Sequence, residues 1–255
     1  MRLRATLAEA GLETAEKHVH VPLGHEAVDT ALRGGLVRGS LHEVFAAAGH
    51  EAAATGFMAG LAARLAGRKR ILWIRQDFSA LEFGELCATG LLELGLDPAR
   101  LLLLRVADAA GGVRAASDAL SCAALGAIVI EIPGQPKILD LVTSRRLALG
   151  AERDGVTILL LRFAAQPDAS TAETRWCVRA KWSRAKEEGW GHPVFEADLV
   201  RNRHGRTGHW VMTWDCDDGV FRETADCGAV VSEAFDRPVA AASGGGTVQI
   251  FRAAV

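Results

Sequence analysis

The sequence predicts an α/β domain with a doubly wound, mostly parallel sheet, extended on its C-terminal side by antiparallel strands. Three observations carry that expectation. Between residues 41 and 162, short and almost unbroken apolar runs alternate with helix-like segments, the pattern of strands buried on both faces. After about Asp168 the runs give way to strict alternation of apolar and polar residues, which marks strands with one face in water. Hydrophobic residues make up 49% of the 255, enough for one large core and too many for wholesale disorder.

Taken in order, residues 1–20 read as an N-terminal helical extension, a short amphipathic helix ending in a loose His18-Val-His20 segment. Residues 21–235 read as the main domain. Gly34, Gly35 and Gly39 mark tight turns on either side of Leu36. The run from Leu41 to Ala46 reads as a strand. Phe57, Leu61 and Leu65 recur at helical spacing between Glu51 and Ala66, with Gly67 as a stop. The alternation continues with a strand at 70–75, a helix from Ser79 to about Leu94 and a strand at 101–106. A helix at 113–125, a strand at 127–132, a helix at 136–149 and a strand at 156–162 complete it.

In the antiparallel part, Trp176, Val178, Ala180 and Trp182 share one face and Arg179 and Lys181 the other. Phe195, Ala197 and Leu199 alternate with Glu196 and Asp198, and Trp210, Met212 and Trp214 with His209 and Thr213. His204–Gly208 and Cys216–Gly219 supply hairpin turns. Residues 236–255 read as a flexible tail. Its Ser-Gly-Gly-Gly spacer precedes Val248-Gln-Ile-Phe251, either a frayed end or a strand that adds to a sheet edge.

Composition removes several classes of function. A net charge of −2 gives no global attraction to nucleic acid. The five cysteines (87, 122, 177, 216 and 227) show no CxxC pairing and are odd in number, which argues against a zinc site or a disulfide framework. His18, His20, His25, His42 and His50 fit no metal-binding spacing and read as surface or capping histidines. Ser144 lacks recognisable triad partners, so no hydrolase is indicated. No stretch is long and apolar enough to span a bilayer, and a soluble, cytoplasmic protein is expected.

Three candidate sites remain. Ser40–Gly56 has the strand, small-residue turn and helix of a phosphate-binding loop. Such a loop cradles phosphates with backbone N–H groups, reaches them with a lysine and holds Mg²⁺ with the following hydroxyl. Gly49 and Thr55 suit the turn and the hydroxyl, but the residue before Thr55 is Ala54. Residual nucleotide binding and a purely structural strand-to-helix connection are both open, and the missing amine favours the second. Glu131, at the end of an apolar strand, is the second candidate: the acid of a nucleotide site, or an ion-pair partner. The third is a basic, tryptophan-interleaved stretch with Arg175, Arg179, Lys181, Arg184, Lys186, Arg201, Arg203 and Arg206 beside Trp176, Trp182 and Trp190. It reads as a single-stranded DNA or acidic-partner surface, or as a solvated face with the tryptophans turned inward.

Particular motifs narrow the reading. Val21-Pro-Leu-Gly24 with Asp29, Leu32-Arg-Gly-Gly-Leu-Val-Arg-Gly-Ser-Leu-His-Glu-Val44, Leu72-Trp73, Gly84-Glu85, Gly95-Leu-Asp-Pro98, Thr174-Arg-Trp176 and Leu199–Trp210 occur together. In this combination, from about residue 20 to about 215, the chain resembles the ImuA family, the RecA/SulA-like proteins of the bacterial inducible-mutagenesis cassette. The resemblance implies a RecA-like fold and a role in SOS-induced, error-prone translesion DNA synthesis, with association with the nucleoid after damage. It implies contacts with ImuB, a Y-family-like relative without polymerase chemistry, with an alternative error-prone replicative-type polymerase and with the RecA recombinase. It also suggests that the strand holding Arg201 and Arg203 faces a neighbouring subunit or a nucleotide. A protein without catalysis and without a nucleotide cofactor is expected, with direct DNA contact secondary. A weak DNA-dependent ATPase and a SulA-like cell-division inhibitor are the alternatives.

Overall fold

The computed structural model describes residues 19–183 and 191–224. The expected N-terminal helix, the tail at 236–255, and Arg184, Lys186, Trp190 and Cys227 lie outside the described residues. The fold is RecA-like: one nine-stranded, mostly parallel sheet with helices on both faces and antiparallel strands at the C-terminal side.

The chain enters through a two-residue strand, β1 (His20–Val21), paired antiparallel with β2 (Leu36–Val37). Between them lies α1 (Glu26–Ala31). Asp29 accepts the backbone N–H groups of Leu23 and Gly24 at 2.6 and 2.9 Å and so fixes the turn into this helix. The glycines here predict only turns, and the short helix is an addition to that expectation. Gly35, at φ +121°, sits so close to the backbone of Val21 that a Cβ there would lie 2.1 Å from its carbonyl oxygen.

The large sheet contains β3 (Leu41–Ala46), β4 (Arg70–Gln76), β5 (Leu101–Val106), β6 (Leu125–Glu131), β7 (Thr157–Arg162), β8 (Thr174–Lys181), β9 (Val194–Asn202), β10 (Gly208–Asp215) and β11 (Val220–Glu223). Their order is β11-β10-β9-β8-β3-β7-β6-β4-β5. The strands from β8 to β5 in that order are parallel, and β9, β10 and β11 add antiparallel. Every residue of β6 and β7 is buried, which explains their unbroken apolar runs.

One face is covered by α2 (Glu51–Ala66). Phe57 lies 5.7 Å from the rings of both Trp176 and Phe195 and 5.0 Å from Phe221. Gly60 lets Trp214 approach, since a Cβ there would meet its ring at 3.0 Å. The inward tryptophans are therefore core: Trp176 and Trp214 are almost wholly buried. Trp182 departs from the expected alternation. It follows the end of β8 and is 94% exposed; among the described residues the β8–β9 pairing ends at Lys181.

The opposite face is covered by α5 (Ala109–Ala119) and α6 (Leu141–Asp154). Both start at aspartate caps. Asp108 accepts from Gly111 N–H and Asp140 from Thr143 N–H, so the helices begin four residues earlier and five residues later than the apolar pattern suggested. The helix expected from Ser79 to Leu94 is two short helices, α3 (Ser79–Phe83) and α4 (Ala88–Glu93), parted by Gly84 at φ +78°. That left-handed conformation ends α3.

Candidate functional site

The loop between β3 and α2 is short, and its polar groups are used locally. Gly49 takes φ +77° with nothing within 4 Å of a Cβ built there. Its backbone N–H donates to the carboxylate of Glu51 at 3.3 Å. Ala47 N–H donates to Val178 O at 3.1 Å, and His50 Nδ1 accepts from Ala180 N–H at 3.1 Å, so β8 braces the turn. The first helical residue is thus an acid, placed where a phosphate would meet the positive end of the helix dipole. Ala54 and Thr55 stand in the second turn of α2, not at its start. Ala54 is wholly buried, and the Thr55 hydroxyl donates to Glu51 O at 2.9 Å.

Glu131 ends β6 and is 1% exposed. Trp73 Nε1 donates to its Oε2 at 3.2 Å. Arg75 Nε lies 2.9 Å from the same oxygen, a contact too bent to count as a hydrogen bond. Trp73 and Arg75 project from β4, where Arg75 pairs in register with Glu131. Arg75 also donates to Gly84 O at 2.9 Å and lies 3.7 Å from Glu85, whose carboxylate binds Arg105 on β5. Glu131 Oε1 has no hydrogen-bond partner among the described residues.

The strand order places β7 between β3 and β6, which separates the loop from Glu131 by about two strand spacings, roughly 10 Å. Phe163, the residue after β7, is buried there with its ring 4.8 Å from that of Phe83. Phe163 thus follows the strand that lies between the two halves of the candidate nucleotide site. Four clefts stand out among the described residues, and none is lined by Gly49, Thr55 or Glu131.

The basic candidates do not form one free patch. Arg175 is buried: its Nε donates to Glu43 at 2.7 Å, its Nη2 to Asp168 O at 2.6 Å and to Ser170 at 3.0 Å. With Arg162 it flanks the Phe45 ring, each guanidinium 5.5 Å from the centroid. Burial pushes the Arg162 pKa below its ordinary value, against the pull of Glu43 and Asp168. Arg179 pairs with Asp198 at 2.8 Å and Lys181 with Glu196 at 3.3 Å. His209 bridges both acids, 2.6 Å from Asp198 and 3.5 Å from Glu196. Partial burial raises the Asp198 pKa, but hydrogen bonds from His209 and Arg179 outweigh it and hold the carboxyl below its ordinary range. Arg201 donates to Ser170 O at 2.6 Å, and Arg203 pairs with Glu173 at 3.2 Å. The Arg206 side chain alone of the six is without a partner among the described residues, and it lines a cleft with Arg33 and Trp210.

No family model matches the chain. Comparison with known proteins finds Protein ImuA of Caulobacter vibrioides, in strain NA1000 / CB15N and in strain ATCC 19089 / CIP 103742 / CB 15. Each is 31% identical over 196 residues, covering 70% of this chain and 76% of the relative. The chain belongs to the ImuA family. In this ImuA-family chain several polar groups escaped the sequence reading. His42, expected at the surface or in a cap, is fully buried. It contacts Thr174 at 2.8 Å through Nδ1 and Val37 O at 2.8 Å through Nε2. Burial drives its pKa down to about 4. Its proximity to Ser40 (3.1 Å) makes no nucleophile, because the Ser40 hydroxyl donates to Val37 O at 2.7 Å. Glu51 was readable as a helix-start acid, whereas Arg75 needed the β4–β6 register, which no local pattern encodes. One potential ligand cluster occurs among the described residues, His192 with Asp215 and Asp217 within 4.8 Å. Asp215 is already neutralised by Arg222 at 2.7 Å.

Proposed function

We propose that this chain is a non-catalytic, RecA-like adaptor in damage-induced, error-prone translesion DNA synthesis. It acts through protein contacts with an ImuB-type protein, with the alternative error-prone polymerase and with the recombinase. Membership of the ImuA family supports the process. Support for an adaptor rather than a motor comes from one observation above all, the carboxylate of Glu51 at the head of α2, bound to the Gly49 N–H.

Hydrolysis of a nucleoside triphosphate requires a cation and free N–H groups at the helix start, a hydroxyl on Mg²⁺ and a carboxylate free to order water. Here the helix start is anionic, the Thr55 hydroxyl is bonded to its own helix, and Glu131 is buried with one carboxylate oxygen held by Trp73 and Arg75. A triphosphate approaching α2 meets like charge where it needs opposite charge.

Two measurements test this. A fluorescent ATP analogue with Mg²⁺ is expected to show no saturable binding up to about millimolar concentration, and the chain is expected to retain purified ImuB-type protein on an affinity resin. ATP turnover abolished by Thr55→Ala or Glu131→Gln would overturn the first half. Failure to retain either the ImuB-type protein or the recombinase would overturn the second.

A further inference from the structure

We infer that the groove between α5 and α6 is a docking site for an acidic, amphipathic helix of a partner protein. The groove has a volume of about 480 Å³. Its apolar lining comes from Leu120, which is buried, and from Val142 and Leu149, which are 75% and 55% exposed. Its charged lining is Arg145, Arg146 and Arg153, with no carboxylate among the lining residues.

The inward side of α6 already supplies the core through Leu147 and Ala151. Val142 and Leu149 therefore add a second apolar surface on the outward side that the fold itself does not bury. Arg153 is held by Asp154 at 2.7 Å. Arg145 and Arg146 make no ion pair or hydrogen bond among the described residues, in contrast to the arginines of β8 and β9. Aliphatic surface beside two guanidinium groups that are unpaired among the described residues fits a segment that presents leucine-type side chains flanked by carboxylates. A helix laid in a groove does this at i, i+3, i+4 and i+7.

Nucleic acid fits less well. No aromatic side chain lines the groove to stack on a base, and phosphates leave Val142 and Leu149 without a partner. The inference deepens the adaptor reading, on which it rests, by naming a surface and the chemistry of what it holds.

The test uses the full chain and a labelled synthetic helix of about five turns, leucine on one face and glutamate on both flanks, followed by fluorescence anisotropy near physiological salt. Saturable binding in the micromolar range is expected, weakened about tenfold or more in R145E/R146E and in V142S/L149S. A peptide with lysine in place of every glutamate is expected not to bind, and a single-stranded oligonucleotide not to compete. Far-UV circular dichroism of the variants is expected to match the parent, since all four side chains are exposed. No binding of the acidic peptide, equal binding by R145E/R146E or the lysine peptide, or displacement by the oligonucleotide overturns the inference. Retention of the ImuB-type protein is measured on the same preparations. If the parent retains it while the peptide fails to bind, the groove is wrong and the adaptor stands. If the peptide binds as expected while the parent retains neither the ImuB-type protein nor the recombinase, the groove stands and the adaptor is wrong.

Discussion

Arg175 and Arg179 lie four residues apart, share a charge, and answer to different physics. Arg175 is buried against Glu43, itself 3% exposed, so its removal leaves an uncompensated carboxylate in a low dielectric. Arg175→Ala is expected to cost about 3–5 kcal/mol in urea unfolding. Arg179 has a side chain 41% exposed beside a half-exposed Asp198, and Arg179→Ala is expected to cost no more than about 1 kcal/mol. Equal losses would mean that burial does not divide the basic stretch. His42 adds a pH dependence whose sign is fixed by its depressed pKa of about 4 against the ordinary 6.5. Below pH 6.5 the unfolded chain takes up a proton that the folded chain refuses, so stability falls as pH drops towards 4 and is unaffected above 6.5. The limiting slope is about 1.4 kcal/mol per pH unit. Comparison of unfolding midpoints between pH 7 and 5 should show a shallower fall in His42→Gln. Parallel curves would remove His42 from the account.

At the scale of elements, the central parallel strands Leu125–Glu131 and Thr157–Arg162 were readable because burial on both faces favours apolar side chains, whereas the equally apolar Leu101–Val106 is an edge strand with Leu102, Leu103 and Leu104 exposed, against the expectation of burial on both faces. Helix ends were harder, since a cap is a single polar atom. The segment Ala109-Ala-Gly-Gly has too little apolar periodicity to reveal that Asp108 had already opened a helix. Pro136 suggested a start that belongs instead to Asp140, whose carboxyl lies below its ordinary pKa chiefly because Thr143 N–H binds it. Asp140→Ala is expected to lower stability by the loss of a helix cap, read as a lower thermal midpoint. An unchanged midpoint would show that packing of Leu147 and Ala151, not the cap, sets where α6 begins.

At the scale of the molecule, the candidate nucleotide site was legible as a list of residues and not as an arrangement. Gly49 lies in the turn before α2, Thr55 inside that helix and Glu131 at the end of β6. The strand order that puts β7 between loop and acid, and the register that sets Arg75 against Glu131, arise from long-range pairing. The same holds for charge. Eight basic residues close together in sequence suggest a field, yet Glu43, Glu173, Glu196 and Asp198 come from neighbouring strands and segments to compensate Arg175, Arg203, Lys181 and Arg179. With a net charge of −2, little counterion release is available to drive contact with a phosphate backbone. Anisotropy of a labelled single-stranded oligonucleotide is therefore expected to show no saturable binding below about 10 μM near physiological salt, where dedicated binders saturate. Lowering the salt should strengthen any residual binding with a slope of about one or two phosphate contacts. A steep slope that E173Q or D198N steepens further would mean that the paired arginines let go of their carboxylates to take up DNA, and contact with the damaged template would then be direct.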